Sequence, residues 1–415
     1  MEGPNPMCLK KRFRRTTRKG LMGRAHNSSR GFTLMELMIS AAIGAVLIVT
    51  AADLFSRAMK ASWITSQKSE LQQDFRAASN ILQRDISMAG AGALGQQGLS
   101  TSSVGLPAST GILPVYPCSG LTTCNYINGA PVAYPTATGA PTVPFLYSII
   151  PGPNLGITIN AAQGATDIIT VISADVSLAL NCYTSSINAA GTVITFQLPS
   201  PLPSTCILPT GVAAPQPLNA AVIGLQQGDL ILWGTNAVGV VTSVVTTCAP
   251  TGTNTACYTV DFAATDPGHI NQPGAVTGSL SQFVGSGAPA STAIPYSAVR
   301  LLAVTYYLAI PPATGLPTLM RLQSGRAPAP VAENVVYLKF SYDVYDAGVV
   351  DANQSSLPAG TNPGMITKVN IVHMSMRSQQ AKYTGIGYQG LDLQTSIAAR
   401  NLTSQQEYPI SGSSY

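Results

Sequence analysis

From Phe32 to Ala52 the chain presents 21 residues with a single charge, Glu36. At about 1.5 Å per residue such a helix spans about 30 Å, the hydrocarbon thickness of a bilayer. Polar residues enter from Asp53 onward, yet the helical period persists. Phe55, Met59 and Trp63 lie four apart, and Leu71, Phe75, Ala78, Leu82 and Ile86 continue an apolar stripe at helical spacing. No proline occurs between Pro6 and Pro107. The pattern predicts one helix from about Phe32 to Ala89, closed by Ala89-Gly90-Ala91-Gly92. Its first half, 32–52, is apolar all round. Its second half, 53–90, is amphipathic and expected to lie against a folded body.

Beyond the helix the period changes. Residues 91–299 are rich in Gly, Ala, Ser, Thr and Pro, with short β-like runs at Asp167–Ser173, Val193–Leu198, Asp229–Trp233 and Val238–Thr246. In residues 300–415 and just before them, Val299–Ile310, Val335–Tyr345 and Ile366–Arg377 read as long strands of an antiparallel sheet. They are the natural partners of the amphipathic half-helix. The fold class expected is α+β: a long N-terminal helix packed on an antiparallel sheet, with 91–299 as an enlarged β-rich insertion in one body.

Composition narrows the function classes. Charged residues are 9% of the chain, against a usual value of about 25%. The net charge of +5 is segregated: residues 1–31 hold nine basic groups and one acid. Thirteen of the 22 basic and sixteen of the 17 acidic residues remain for the rest, a net of −3. Residues 91–299 contain no Lys or Arg and five Asp: 167, 175, 229, 261 and 266. Such a body lacks the cationic surface that grips phosphates, so direct nucleic-acid binding is not expected.

The basic N-terminal cluster is of the kind that stays cytoplasmic, placing the chain after Ala52 outside. A secretory signal fits poorly, because the small polar junction Ser28-Ser29-Arg30-Gly31 precedes the apolar run instead of following it. Gly31-Phe32-Thr33-Leu34-Met35-Glu36 resembles the processing motif of type IV prepilins and of type II secretion pseudopilins. The resemblance implies a pilin fold, with residues 1–31 as a leader peptide. It also implies cleavage by prepilin peptidase between Gly31 and Phe32, N-methylation of Phe32, and an assembly role for Glu36. A lone carboxylate in hydrocarbon is costly unless paired. The new amine of one chain would pair with Glu36 of a neighbour. The implied location is the bacterial inner membrane, single-pass with a cytoplasmic N-terminus, then the periplasm and an extracellular pilus. A 31-residue leader is long for this family. A start at Met22 would give MGRAHNSSRG, of ordinary length.

The stretch from Phe75 to Gly90, with Arg84-Asp85 followed by Ile86-Ser87-Met88-Ala89-Gly90, resembles the helix end of PilW-like minor pilins. J-type pseudopilins are the near relatives. The order of the terminal strands and the closing Arg400-Asn401-Leu402 resemble the same subunits. The resemblance implies a structural, tip-proximal minor pilin rather than an enzyme. Its partners would be other minor and major pilins, prepilin peptidase, the inner-membrane assembly platform and a tip adhesin. A membrane-anchored adhesin or enzyme that never polymerises is the alternative from another class.

Leader removal takes Cys8 and leaves Cys118, Cys124, Cys182, Cys206, Cys248 and Cys257. Six cysteines allow fifteen connectivities. The sequential one, 118–124, 182–206 and 248–257, closes the shortest loops and is preferred, in an envelope compartment that permits such bonds. Zinc fits poorly, since no C-x2-C or Cys-x-His spacing exists. Asp343, Asp346 and Asp351 share the loop YDVYDAGVVDANQ and are a weak Ca²⁺ set, without the Gly and Glu of an EF-hand. A solvated turn is the simpler reading. His269 falls in a Pro-Gly turn and His373 inside a strand. Asn401-Leu402-Thr403 matches a glycosylation pattern of low specificity. No nucleophile-elbow, Walker or H-E-x-x-H pattern is present, and neither a catalytic site nor a cofactor is expected.

Overall fold

The computed structural model describes residues 32–91, 104–105, 126–127, 130–131, 145–175, 177–234, 237–263, 271, 280–284, 291–324, 326–346, 348–359, 361, 363–378 and 390–399. The chain divides between Ala61 and Ser62 into two units. The helix α1 runs from Leu34 to Ser87, within two residues of the predicted span at each end. It ends where Gly90 takes a left-handed φ of 73°, a conformation that costs glycine nothing. The chain leaving it is latched to a strand: Gly90 N–H donates to the Ile172 carbonyl at 2.8 Å, and Ala174 N–H to the Ala91 carbonyl at 2.8 Å.

Four two-residue strands come first: β1 (Val104–Gly105), β2 (Tyr126–Ile127), β3 (Ala130–Pro131) and β4 (Phe145–Leu146). The insertion continues with β5 (Ile149–Gly152), β6 (Ile168–Asp175), β7 (Thr184–Asn188), β8 (Val193–Leu198), β9 (Leu230–Trp233), β10 (Ala237–Val240), β11 (Thr246–Thr247), β12 (Ala256–Asp261) and β13 (Ser291–Ile294). The remaining strands are β14 (Ala298–Ala309), β15 (Thr318–Gln323), β16 (Ala329–Glu333), β17 (Val335–Asp346), β18 (Val349–Gln354), β19 (Ile366–Arg377) and β20 (Gly390–Ala398). One long helix followed by antiparallel sheets is the α+β architecture expected from the sequence.

Among the described residues β1 pairs with β4 and β2 with β3 in two small sheets, and the other strands form three larger ones. A seven-stranded sheet is built around β14, which pairs with β9 at its start, β15 at its end and β6 along the middle. A five-stranded sheet runs β11-β12-β8-β7-β13, and a four-stranded terminal sheet runs β18-β17-β19-β20. The dividing line at residue 299 falls inside β14, and β6 and β9 bring insertion residues into the same sheet as β15 and β16.

The predicted stripe on α1 is buried from Leu71 onward. Leu71, Phe75, Ala78, Leu82 and Ile86 join a core with Ile169, Val171, Tyr306 and Leu308 of the seven-stranded sheet. Leu338, Phe340, Tyr342, Val369, Ile371 and Met374 complete it from the terminal sheet. Phe55 and Met59, earlier in the same stripe, are exposed. Another core joins Ile187, Ile194, Phe196 and Val260 of the five-stranded sheet to Ile231 and Trp233 of β9; Trp233 stacks on Phe196 at 6.2 Å and donates its indole N–H to Ser185 Oγ at 3.2 Å.

Candidate functional site

The N-terminal segment begins at Phe32, exposed ahead of the first helical residue. Thr33 caps α1: its carbonyl accepts from Glu36 N–H at 3.0 Å and from Leu37 N–H at 3.2 Å, and its Oγ1 also accepts from Glu36 N–H at 3.3 Å. Glu36 therefore occupies the third helical position of a Thr-x-x-Glu capping pattern. A carboxylate in that first turn is favoured by the positive end of the helix dipole. The pattern stood in the sequence, three residues apart, and gives Glu36 a local role at the start of the helix. Gly31 lies outside the described residues.

From Phe32 to Val49 every residue is exposed except half-buried Gly44. The apolar side chains Leu34, Met35, Leu37, Met38, Ile39, Ile43, Val46, Leu47, Ile48 and Val49 are each more than half exposed. The helix is long and apolar enough to cross a membrane. So much unburied apolar surface on one helix is not sustained in water; it calls for lipid or other apolar helices.

The far end of α1 is fixed by charge as well as packing. Asp85 is buried and accepts from Tyr306 OH at 2.7 Å and from Arg321 Nε at 2.7 Å. Its other oxygen accepts from Arg84, whose side chain is mostly exposed. Sequence reading placed Asp85 in a helix-end motif and missed its partners, 221 and 236 residues away. Burial first, then the Asp85 carboxylate, pushes the Tyr306 hydroxyl's pKa up. Burial works against the Arg321 charge, but the hydrogen bond and charge of Asp85, together with Tyr306, outweigh it and raise its pKa.

The remaining sequence candidates fall as follows. Cys182 is bonded to Cys206 and Cys248 to Cys257, with Cα separations of 4.1 and 5.0 Å. Cys118 and Cys124 lie outside the described residues, as do His269 and Asn401. Asp343, Asp346 and Asp351 do not share a loop. The segment is a β17–β18 hairpin in which Val344 faces Asp351 and Asp346 faces Val349. No group of three or more His, Cys, Asp or Glu side chains comes together among the described residues. Asp343 is taken up internally, accepting from Asn353 N–H at 2.9 Å and Asn370 Nδ2 at 2.9 Å, with Lys368 Nζ at 3.3 Å. Alternating apolar and acidic residues in a hairpin resemble a polar loop in sequence, which is why the strand was missed. His373 lies on β19, opposite Lys339.

Residues 26–52 match the family described as the prokaryotic N-terminal methylation motif. No curated protein and no solved structure matches the chain. The match spans residues 26–31, Phe32 and the exposed apolar half of α1, and not the sheets. The motif and the N-terminal apolar helix together fit a type IV pilin or pseudopilin, a prepilin peptidase substrate anchored in the inner membrane.

Proposed function

We propose that the chain is a minor pilin of the PilW-like kind, which helps to initiate a type IV pilus and stays near its tip. The observation that carries this reading is the apolar half-helix from Phe32, exposed along its length with one carboxylate in its first turn. Cleavage after Gly31 removes a cationic leader that would resist leaving the membrane surface and frees an amine at Phe32, which is then methylated. Within a helical stack, that amine meets Glu36 of the adjacent subunit. Breaking such a pair in an apolar setting leaves one charge uncompensated, so the pair favours assembled over solitary subunits. Other pilins, the assembly platform and a tip adhesin are the partners this mechanism needs.

The helix end with Arg84-Asp85 and Met88-Ala89-Gly90 agrees with this assignment, and also with a J-type pseudopilin. A gene neighbourhood of pilus components favours the first, one of secretion components the second. The test of polymerisation is Glu36→Ala in cells that make the filament. The variant is expected to be cleaved, to remain in the inner membrane, and to be missing from sheared filaments. Undiminished incorporation contradicts the mechanism, and a protein that never enters filaments in its wild-type form is an anchored adhesin or enzyme.

A further inference from the structure

Lys339 stands on β17 between Leu338 and Phe340, which enter the core shared with α1, so its side chain leaves by the opposite face. There it meets two residues from the insertion. Its Nζ donates to Asp167 Oδ1 at 2.7 Å and to Asn154 Oδ1 at 2.5 Å. The Lys339 side chain is 20% exposed and that of Asp167 3%. An ion pair needs only the lysine and the aspartate. The amide carbonyl set against the same nitrogen is what a simple pairing leaves unexplained.

Each of the three groups is fixed through the backbone. Asp167 N–H donates to the Leu338 carbonyl at 3.0 Å, and Phe340 N–H donates to Asp167 Oδ2 at 2.9 Å, so the aspartate is docked on β17 to either side of Lys339. Asn154 N–H donates to Asp167 Oδ1 at 2.8 Å, and its backbone is left-handed, with φ 56°. Non-glycine residues persist in that region where their surroundings over-determine them, and they gather at functional sites. A carbonyl bond is about 1.2 Å long, so Lys339 Nζ lies within about 3.7 Å of Asn154 Cγ. That is close to the separation of about 3–3.5 Å from which a nucleophile reacts. An amine, an amide carbon and a carboxylate touching the amine bring nucleophile, electrophile and base into one cluster.

We propose that Lys339 and Asn154 join in an intramolecular isopeptide bond, with Asp167 as the catalytic residue. Asp167 takes a proton from the ammonium, and the freed Nζ lone pair attacks Cγ. The Nζ–Cγ bond forms, the bond from Cγ to Nδ2 breaks, and its electron pair leaves with the nitrogen. Nζ gives up two protons in all, which Asp167 passes to the departing nitrogen, and ammonium leaves. Nothing is oxidised or reduced, and no co-reactant is needed. A cleft of about 420 Å³, lined by all three residues, gives the ammonium room to depart. Asp167 ends as it began, a carboxylate accepting from Asn154 and Phe340 N–H. The bond ties the insertion to β17 across a sequence separation of 185 residues, a closure that restricts the unfolded chain. The inference does not rest on the pilin reading, since a chain of any role with this fold brings the three groups together.

The test uses the full chain, purified in detergent, reduced and alkylated, then digested for mass spectrometry. Trypsin should fail to cut after Lys339. Chymotryptic peptides bearing Asn154 and Lys339 should appear joined, lighter than their sum by about 17 Da, the mass of ammonia. Lys339→Arg and Asn154→Ala should each lose the joined peptide altogether. Asp167→Asn keeps the side chain's shape but not its basicity, and should lower the joined yield by about tenfold or more. The wild-type digest decides by itself, whatever the folding of the variants. The proposal is overturned if wild-type Lys339 is found unjoined, if it is joined to Asp167 with loss of water, or if Asp167→Asn cross-links as fully as wild type.

Discussion

Asp85 is a single carboxylate on which α1, β14 and β15 converge, through Tyr306 and Arg321. Its replacement by alanine leaves a buried hydroxyl and a partly buried guanidinium without their acceptor. Asp85→Ala should cost about 3 kcal/mol, read by urea unfolding followed through tryptophan fluorescence. Arg84→Ala touches the same carboxylate from solvent and should cost less than about 1 kcal/mol. Equal losses in the two variants would remove the clamp from the account. Asp343 offers a pH test. Burial alone would raise its carboxyl, but the Asn353 N–H, the Asn370 amide and Lys368 outweigh it and pull its pKa below the usual 3.8. That contribution is present above the unfolded value and is lost as pH falls through the lower folded value. Asp229 has the opposite sign: burial raises its pKa, so its contribution is fully present below the unfolded value and is lost as pH rises through the higher folded one. Asp343→Asn should therefore flatten the fall in melting temperature between about pH 4 and about pH 2. Parallel curves for wild type and variant would show that Asp343 does not drive acid unfolding.

The long elements were legible because their apolar spacing is regular. The stripe from Leu71 to Ile86 gave α1 its buried face, and the runs from Val193, Val335 and Ile366 gave β8, β17 and β19 at or within one residue of their bounds. Polar strands were not legible. Thr184–Asn188 and Val349–Gln354 carry turn-forming residues, and their partners lie elsewhere in the chain. The run Val238–Thr246 has the composition of one strand but serves two sheets. Val241 N–H bonds Asp229 beside β9, whereas Thr242 N–H bonds Asp261 at the end of β12. At the candidate site, Glu36 was visible as an acid within an apolar run, while the shared carboxylate partner of Tyr306 and Arg321 is set by tertiary structure alone. The loop holding Arg300 gives a sharp element-level test. Gly224 presents its carbonyl to Arg300 Nη1 at 2.9 Å and to Arg326 Nη2 at 3.1 Å. A Cβ there would meet Ala220 N, Ala220 O and Leu218 O at 2.5 Å, all backbone atoms. Gly224→Ala should destabilise by about 2–3 kcal/mol in thermal unfolding. A variant that melts with wild type would show the loop free to move aside.

Across the whole molecule, charge is scarce and placed where it joins distant parts. Residues 91–299 supply carboxylates and no cations, and the cations that answer them come from later in the chain. Lys339 pairs with Asp167, Arg300 with Asp175 and Asp229, and Arg326 stands 4.0 Å from Asp229. Burial would raise the Asp175 carboxyl, but Ser177 and Arg300 outweigh it and hold its pKa down. The cation-poor insertion is thus complementary to the terminal region, a relation visible in the sequence only as an imbalance. The apolar half-helix has no such complement within the described residues, which is the ground for placing its partners in lipid and in neighbouring subunits. The central claim is that proteolysis at Gly31–Phe32 creates the charge Glu36 answers. Mass spectrometry of the N-terminal peptide of native protein, taken from cells with their own prepilin peptidase, tests it most directly. The account predicts a peptide beginning at N-methylated Phe32, and a native chain that retains its basic leader would contradict it.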